Sequence, residues 1–293
     1  MARRVFVSSP TKKHLTERQR RIGEAIVERI RAENLIDQIF DVGGIADRVW
    51  SPEDCFEVMR KCCGAVLIGF PRWVASERGK PVKLTTEFVH YEGVLARAMR
   101  LPILTIIEEG IAERGVIEHP VKIPEEEDES WANSDDFNTH FNAWLAKLRK
   151  RHDVFLGYCS KAQDIADAVD AHLSELGLSV RNWRTDFNYG RSIIGEIEAA
   201  ARDCSCAIFI FSEDDEQMLG TERFAAPRDN VIFETGLFLN ARGRDRVMII
   251  REGNAKMPAD LGGIIYAALP NRADPLAMKA VTAALTSFTE RAL

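Results

Sequence analysis

Residues 153–158 read Asp-Val-Phe-Leu-Gly-Tyr, and residues 4–9 read Arg-Val-Phe-Val-Ser-Ser. Each is a short apolar run behind a polar start, and each leads into a stretch with helical spacing. After the later run, Ile165, Val169, Leu173 and Leu176 fall on one face and Gly177 ends the helix. After the earlier run, Ile22, Ile26 and Ile30 do the same. The echo continues downstream. A buried strand Ala65-Val66-Leu67-Ile68 has its counterpart in Ala207-Ile208-Phe209-Ile210. Glu92-Gly93, in a helix that runs into Ile103-Leu104-Thr105-Ile106, has its counterpart in Glu234-Thr235-Gly236, in a helix that runs into Val247-Met248-Ile249-Ile250. Strands that are apolar throughout and alternate with amphipathic helices mark a parallel sheet covered on both faces. The expectation is therefore α/β, with two related parallel-sheet domains over residues 1–122 and 151–293.

Residues 123–150 are expected to join them as an acidic linker and an amphipathic helix. The run Pro124-Glu125-Glu126-Glu127-Asp128-Glu129 reads as a mobile surface connector. Phe137, Phe141, Trp144, Leu145 and Leu148 then form one helical stripe. Such a stripe packs against its own domain or serves a dimer or interdomain contact.

The 293 residues leave room for two ordinary domains, and 46% hydrophobic with 29% charged residues excludes wholesale disorder. A net charge of −6 argues against direct nucleic-acid binding by a basic surface. No apolar run reaches the ~20 residues needed to cross a bilayer, and the N-terminal apolar run is too short for a signal peptide. The six cysteines show no CxxC spacing and read as reduced core residues of a cytoplasmic protein. No metal-ligand pattern surrounds His90, and no metal or cofactor is expected.

The chemistry-bearing residues concentrate in the second half. Gly157 and Tyr158 leave a strand toward a helix, where open α/β sheets bind ligands. The loop Arg184–Ser192 follows a strand expected over Leu178–Trp183. Tyr189, Arg191 and Ser192 lie in it, and its N–H groups can hold a phosphate as a helix opens at Ser192. Asp214 and Asp215 stand just beyond a buried strand, where they either position a ribose and a water or simply cap and turn the chain. Asp229 or Asn230 can cap the next helix and place Glu234 one turn inside it, among Ile232, Phe233, Leu237 and Phe238. A carboxylate in that setting needs a partner or a task. The partner reading pairs it with Arg228 or Arg242.

Several motifs in order make the second half specific: Val154–Gly157, Asn188–Ile194, Phe211–Glu216, Arg228–Gly236, Gly243–Val247 and Pro258–Ile264. With these, residues 153–270 resemble the TIR-like nucleotide-binding domain of bacterial anti-phage effectors of the CBASS type, related to the TIR domain of TIR–STING proteins. The resemblance implies a flavodoxin-like (Rossmannoid) fold that hydrolyses NAD⁺ at the nicotinamide–ribose bond, with Glu234 as the catalytic glutamate. It also implies action as a homo-oligomer or filament, with the loop Arg184–Ser192 reaching a neighbouring protomer. One carboxylate suits the reaction. Nicotinamide leaves as a neutral molecule from a cationic pyridinium and needs no general acid. The ribose passes through an oxocarbenium-like state that an adjacent anion stabilises.

Residues 1–122 resemble nucleoside deoxyribosyltransferase-like or degenerate TIR-like domains, without the Asp-x-Gly-Thr approach to a catalytic glutamate. The layout implies a flavodoxin-like unit that senses a nucleotide, with a cyclic di- or oligonucleotide messenger as the expected partner. Ser8, Ser9, Arg72, Trp73, Lys83 and Glu87 are the candidate contacts, and Glu87 or Glu92 can serve a ribosyl site. The alternatives are a nucleoside hydrolase or transferase that acts on a nucleotide signal, and a non-enzymatic TIR scaffold.

Overall fold

A computed structural model describes residues 3–39, 51–187, 192–219, 222–261, 263–264 and 266–293. The chain divides into two compact units, over residues 2–150 and 151–293.

The first unit begins with β1 (Arg3–Ser8) and α1 (Glu17–Ala32). Thr16 and Gln19 cap α1 reciprocally, so two otherwise unpaired N–H groups at its start are satisfied. The helix buries Ile22, Ile26 and Ile30, the face expected from their spacing. β2 (Leu35–Ile39) follows, and α2 (Pro52–Met59) starts behind the cap Ser51 with proline in its first turn, where a missing N–H costs nothing. β3 (Gly64–Gly69) is buried along its whole length. The hairpin β4 (Trp73–Glu77) and β5 (Lys80–Leu84) precedes α3 (Glu87–Ala98), β6 (Ile103–Glu108), β7 (Val121–Ile123) and α4 (Asp135–Arg149). The five strands other than the hairpin form one parallel sheet in the order β2-β1-β3-β6-β7.

The second unit runs β8 (Val154–Gly157), α5 (Gln163–Glu175), β9 (Val180–Asn182), α6 (Trp183–Asp186), α7 (Ile193–Asp203) and β10 (Cys206–Phe211). It continues through the hairpin β11 (Asp215–Leu219) and β12 (Glu222–Ala226), then α8 (Asp229–Arg242), β13 (Val247–Glu252), β14 (Tyr266–Leu269) and α9 (Pro275–Ala292). Its parallel sheet has the order β9-β8-β10-β13-β14. Numbered within each unit, both sheets read 2-1-3-4-5, the flavodoxin-like order, with the ligand crevice at the switch point between strands 1 and 3.

The echo in the sequence is a register match. Phe6 pairs Ala65 across β1 and β3, and Phe155 pairs Ala207 across β8 and β10. From there, β3, β4, β5 and the start of α3 recur as β10, β11, β12 and the start of α8 at a constant offset of 142 positions (64 to 206, 92 to 234). Glu92 and Glu234 are both the sixth residue of their helices.

Three expectations need correction. The strand expected over Leu178–Trp183 spans only Val180–Asn182, because Asn182 caps a single helical turn at Trp183–Asp186. The cap residue of α8 is Arg228 rather than Asp229 or Asn230, and no side chain caps that helix. The acidic stretch is tied down. Arg18 donates to the carbonyls of Pro124 and Glu127 and pairs with Glu108 at 2.7 Å, and Glu125 pairs with Lys83.

The aromatic stripe of α4 packs within the first unit, against Val66, Ile68 and Leu104. Phe137, Phe141 and Trp144 lie ring to ring at 5.2 and 5.6 Å, and Trp144 Nε1 donates to the Pro102 carbonyl at 3.1 Å. Residues 123–150 thus group with the first unit.

Candidate functional site

In the second unit the sheet's carboxyl edge is where β8 and β10 end and α8 begins. Helix α8 runs back across the sheet, and Phe238 anchors it. Its ring stacks on Phe155 of β8 at 4.7 Å and meets Phe209 of β10 edge-on at 5.5 Å. Glu234 is one turn earlier on the same helix face, hence nearer the carboxyl edge. Its side chain is partly buried, and burial pushes its carboxyl up to about 7.

Among the described residues Glu234 has no hydrogen-bond or ion-pair partner. The two cations considered for it are engaged elsewhere. Arg228 pairs with Asp215 at 3.5 Å. Arg242 is buried and donates to the carbonyls of Ala201 (2.9 Å) and Arg202. Neither cation considered for Glu234 is therefore its partner, and burial alone raises its carboxyl.

The other expected residues sort by what they touch. Gly157 ends β8 where a Cβ would come within 2.4 Å of the Phe209 ring, so this position admits only glycine without rearrangement. The Tyr158 hydroxyl shares its hydrogen between Asn182 Oδ1 (3.0 Å) and Gln163 Oε1 (3.1 Å), which locks the ring against β9. The Ser192 hydroxyl accepts from the Gly195 N–H at 3.0 Å and caps α7. Tyr189 and Arg191 lie outside the described residues. The Asp214 carboxylate is buried and takes the Ser212 hydroxyl at 2.9 Å and the Arg228 N–H at 3.4 Å. Asp214 thereby clamps the end of β10 to the start of α8. Asp215 opens β11, and Asn230 is exposed on the first turn of α8.

Sequence reading missed the anchor on the near side of the loop that follows β9. Phe187 stacks on Phe155 at 6.2 Å, and the Arg181 guanidinium lies over the Phe187 ring at 5.7 Å. Arg181 is in turn held by buried Glu196 at 3.0 Å. The usable signal was an aromatic residue inside an otherwise polar loop.

In the first unit the expected contacts fall in three places. Ser8 ends β1, buried, and Ser9 follows it half-buried. Arg72 stacks over Trp73 at 4.9 Å on the exposed hairpin, and Lys83 on the facing strand pairs with Glu125. Glu87 lines an open depression of about 400 Å³ with His90, Tyr91, Arg114 and Gly115. Burial and the nearby Arg114 lower the His90 pKa. Among the described residues no group of three or more His, Cys, Asp or Glu could hold a metal ion. Nor is any described helix long and apolar enough to cross a membrane.

Residues 153–271 match the family model described as CAP12/Pycsar effector protein, TIR domain. The resemblance expected for residues 153–270 is thus found at nearly the same bounds. A CD-NTase-associated protein 12 from Lachnospiraceae bacterium (strain RUG226) is 30% identical over 139 residues, which are 47% of this chain and 44% of that protein. The Pycsar effector protein PaPycTIR of Pseudomonas aeruginosa is 32% identical over 126 residues, 42% of this chain and 41% of that protein. The chain therefore spans less than half the length of these curated relatives. Among solved structures, the TIR domain of the Toll-related receptor TRR-2 from Hydra magnipapillata is 12% identical with a TM-score of 0.37, covering 47% of this chain and 98% of that one.

Proposed function

With residues 153–271 matching a TIR domain of the CAP12/Pycsar effector type, we propose that the second unit cleaves NAD⁺ at the nicotinamide–ribose bond and that the chain is an anti-phage effector. The observation that carries the reading is Glu234: a carboxylate one turn inside α8, partly buried, without a described partner, at the carboxyl edge of the sheet.

The reaction breaks the C1′–N bond, and the electron pair leaves with the nicotinamide nitrogen, which becomes neutral. Positive charge moves onto C1′ and the ring oxygen of the ribose. The Glu234 carboxylate stabilises that charge most strongly because its surroundings are poorly solvated. Water then adds at C1′, and its proton passes to solvent. The cationic pyridinium of bound NAD⁺ favours the ionised carboxylate, so substrate lowers the Glu234 pKa from its value in the empty site. Phe238 and Phe155 hold the helix at its height, and Phe187 and Ser192 anchor the two ends of the loop expected to reach a neighbouring copy.

The first unit acts as the receptor for a cyclic nucleotide messenger. Binding favours the assembled, NAD⁺-cleaving state by differential affinity for it. The six buried free cysteines suit a cytoplasmic setting. The test is nicotinamide release by the purified chain, with and without cyclic di- and oligonucleotides, beside Glu234→Gln. Messenger-dependent release that the variant lacks supports the reading. Release by Glu234→Gln at the unaltered rate overturns it.

A further inference from the structure

The two hairpins are built alike and charged oppositely. β4 pairs with β5 as β11 pairs with β12, at the same offset (73 to 215, 84 to 226). Each is closed at its base by one bond, from the Arg72 N–H to the Leu84 carbonyl in the first and from the Asp214 N–H to the Ala226 carbonyl in the second. Each is tied to its unit through its later strand. The Lys83 carbonyl accepts from the Ala112 N–H, and the Ala225 carbonyl accepts from the Lys256 N–H. β4 and β11 are thus the outer strands, and among the described residues each pairs only with its hairpin partner. Residues 72–84 carry Arg72, Arg78, Lys80 and Lys83 against Glu77. Residues 214–226 carry Asp214, Asp215, Glu216 and Glu222 against Arg223.

An outer strand offers unpaired N–H and C=O groups to another chain, and proteins commonly guard it with charge, proline or a bulge. Residues 73–76 of β4 carry neither charge nor proline, and Trp73 and Val74 are 53% and 71% exposed. A two-stranded hairpin alone is marginal in water, and further strands stabilise it. Arg78 and Lys80, at the tip of this hairpin, are exposed and have no hydrogen-bond or ion-pair partner among the described residues. On β11, Met218 is 60% exposed, and Glu216 meets Arg223 at 3.6 Å in a pair open to solvent, which a partner's cation can replace at small cost. β4 against β4 sets cation beside cation, and β11 against β11 sets carboxylate beside carboxylate. β4 against β11 opposes unlike charges along the whole edge.

We infer that the outer edge of β4 in one copy docks along the outer edge of β11 in a second copy of this chain, joining two hairpins into one sheet, with the cations of the first hairpin facing the carboxylates of the second. The contact uses different surfaces on the two copies, so each chain keeps one free edge of each kind and assembly runs head to tail. This deepens the assembly reading above and rests on it, while naming a contact apart from the loop Arg184–Ser192.

The test is sedimentation velocity on the full chain, without NAD⁺ or nucleotide, so failure here is separate from failure of the hydrolase reading. The mean mass should rise with protein concentration at about 50 mM salt, and half-association should need about ten-fold more protein at about 500 mM salt, where surface charges are screened. The double variants Arg78→Asp, Lys80→Glu and Glu216→Lys, Gln217→Lys should each weaken association by about ten-fold or more. Mixed one to one, they should associate again, because each supplies the edge that the other has lost. All four replaced side chains are exposed, so both variants should unfold near the temperature of the unaltered chain. The salt series on the unaltered chain stands whether or not a variant folds. A monomer at every concentration overturns the proposal. So does association indifferent to salt, a variant that associates undiminished, or a folded mixture that stays monomeric. Association that persists in both variants would leave assembly standing and place its contact elsewhere.

Discussion

Phe238 lies flat on Phe155, with 4.7 Å between ring centroids and 17° between planes. That stack sets the height of α8 above the sheet, and so the position of Glu234 one turn away. An offset-parallel pair of this kind adds about 0.5–1.5 kcal/mol beyond burial.

Glu234→Gln should lower nicotinamide release about 100- to 1000-fold, the usual loss when one transition-state charge partner is removed. Far-ultraviolet dichroism and the unfolding midpoint at pH 6 should stay close to those of the unaltered chain. Collapse of the fold in this variant would show a structural role instead.

The pH dependence of stability has a definite sign. Glu234 titrates about 7 in the folded chain against 4.5 for the free side chain, so the folded state favours the protonated acid. Its contribution is full below pH 4.5 and is lost as pH rises through 7. The loss amounts to about 3 kcal/mol at most by pH 9. Urea denaturation at pH 5, 7 and 9 should show this decline, and Glu234→Gln should flatten that part of the profile. The rate kcat/KM for NAD⁺ should rise with pH through about 7, with kcat reaching its plateau at lower pH.

Gly157→Ala should destabilise the second unit by about 1–3 kcal/mol, because the added methyl meets the Phe209 ring. Movement of Phe209 disturbs Phe238, so nicotinamide release should fall as well. An unchanged rate in a destabilised variant would separate the ring packing from the carboxylate's position.

Phe141→Ala should cost the first unit about 3–5 kcal/mol, as for other buried aromatic truncations. Calorimetry should show a transition that moves down with this variant and one that does not, since the chain comprises two compact units.

The parallel strands were legible because β3 and β10 are buried throughout and carry unbroken apolar runs. The helix start at Ser192 was legible, and its hydroxyl caps α7 as hydroxyls at such positions do. The two hairpins were not. Every residue of β4 is exposed, so no alternation of apolar and polar side chains betrays it. The apolar setting of Glu234 could be read from its neighbours, but the occupation of Arg228 and Arg242 could not. Their partners are a carboxylate on β11 and carbonyls about 40 positions away. Asp214 and Tyr158 looked free to meet a substrate for the same reason. The clamps that engage them close only when β10 meets α8 and β8 meets β9.

The block from β3 to the start of α3 matches that from β10 to the start of α8 without insertion or deletion. The differences in spacing between the halves lie outside that block, in flanking helices, strands and loops: α1 has 16 residues where α5 has 13, and α2 has 8 where α7 has 11. Residues 206–240 can therefore be grafted in place of 64–98 as a cassette of equal length, leaving the numbering of all other parts intact. Such chimaeras would show whether chemistry travels with the helix or stays with the sheet beneath it.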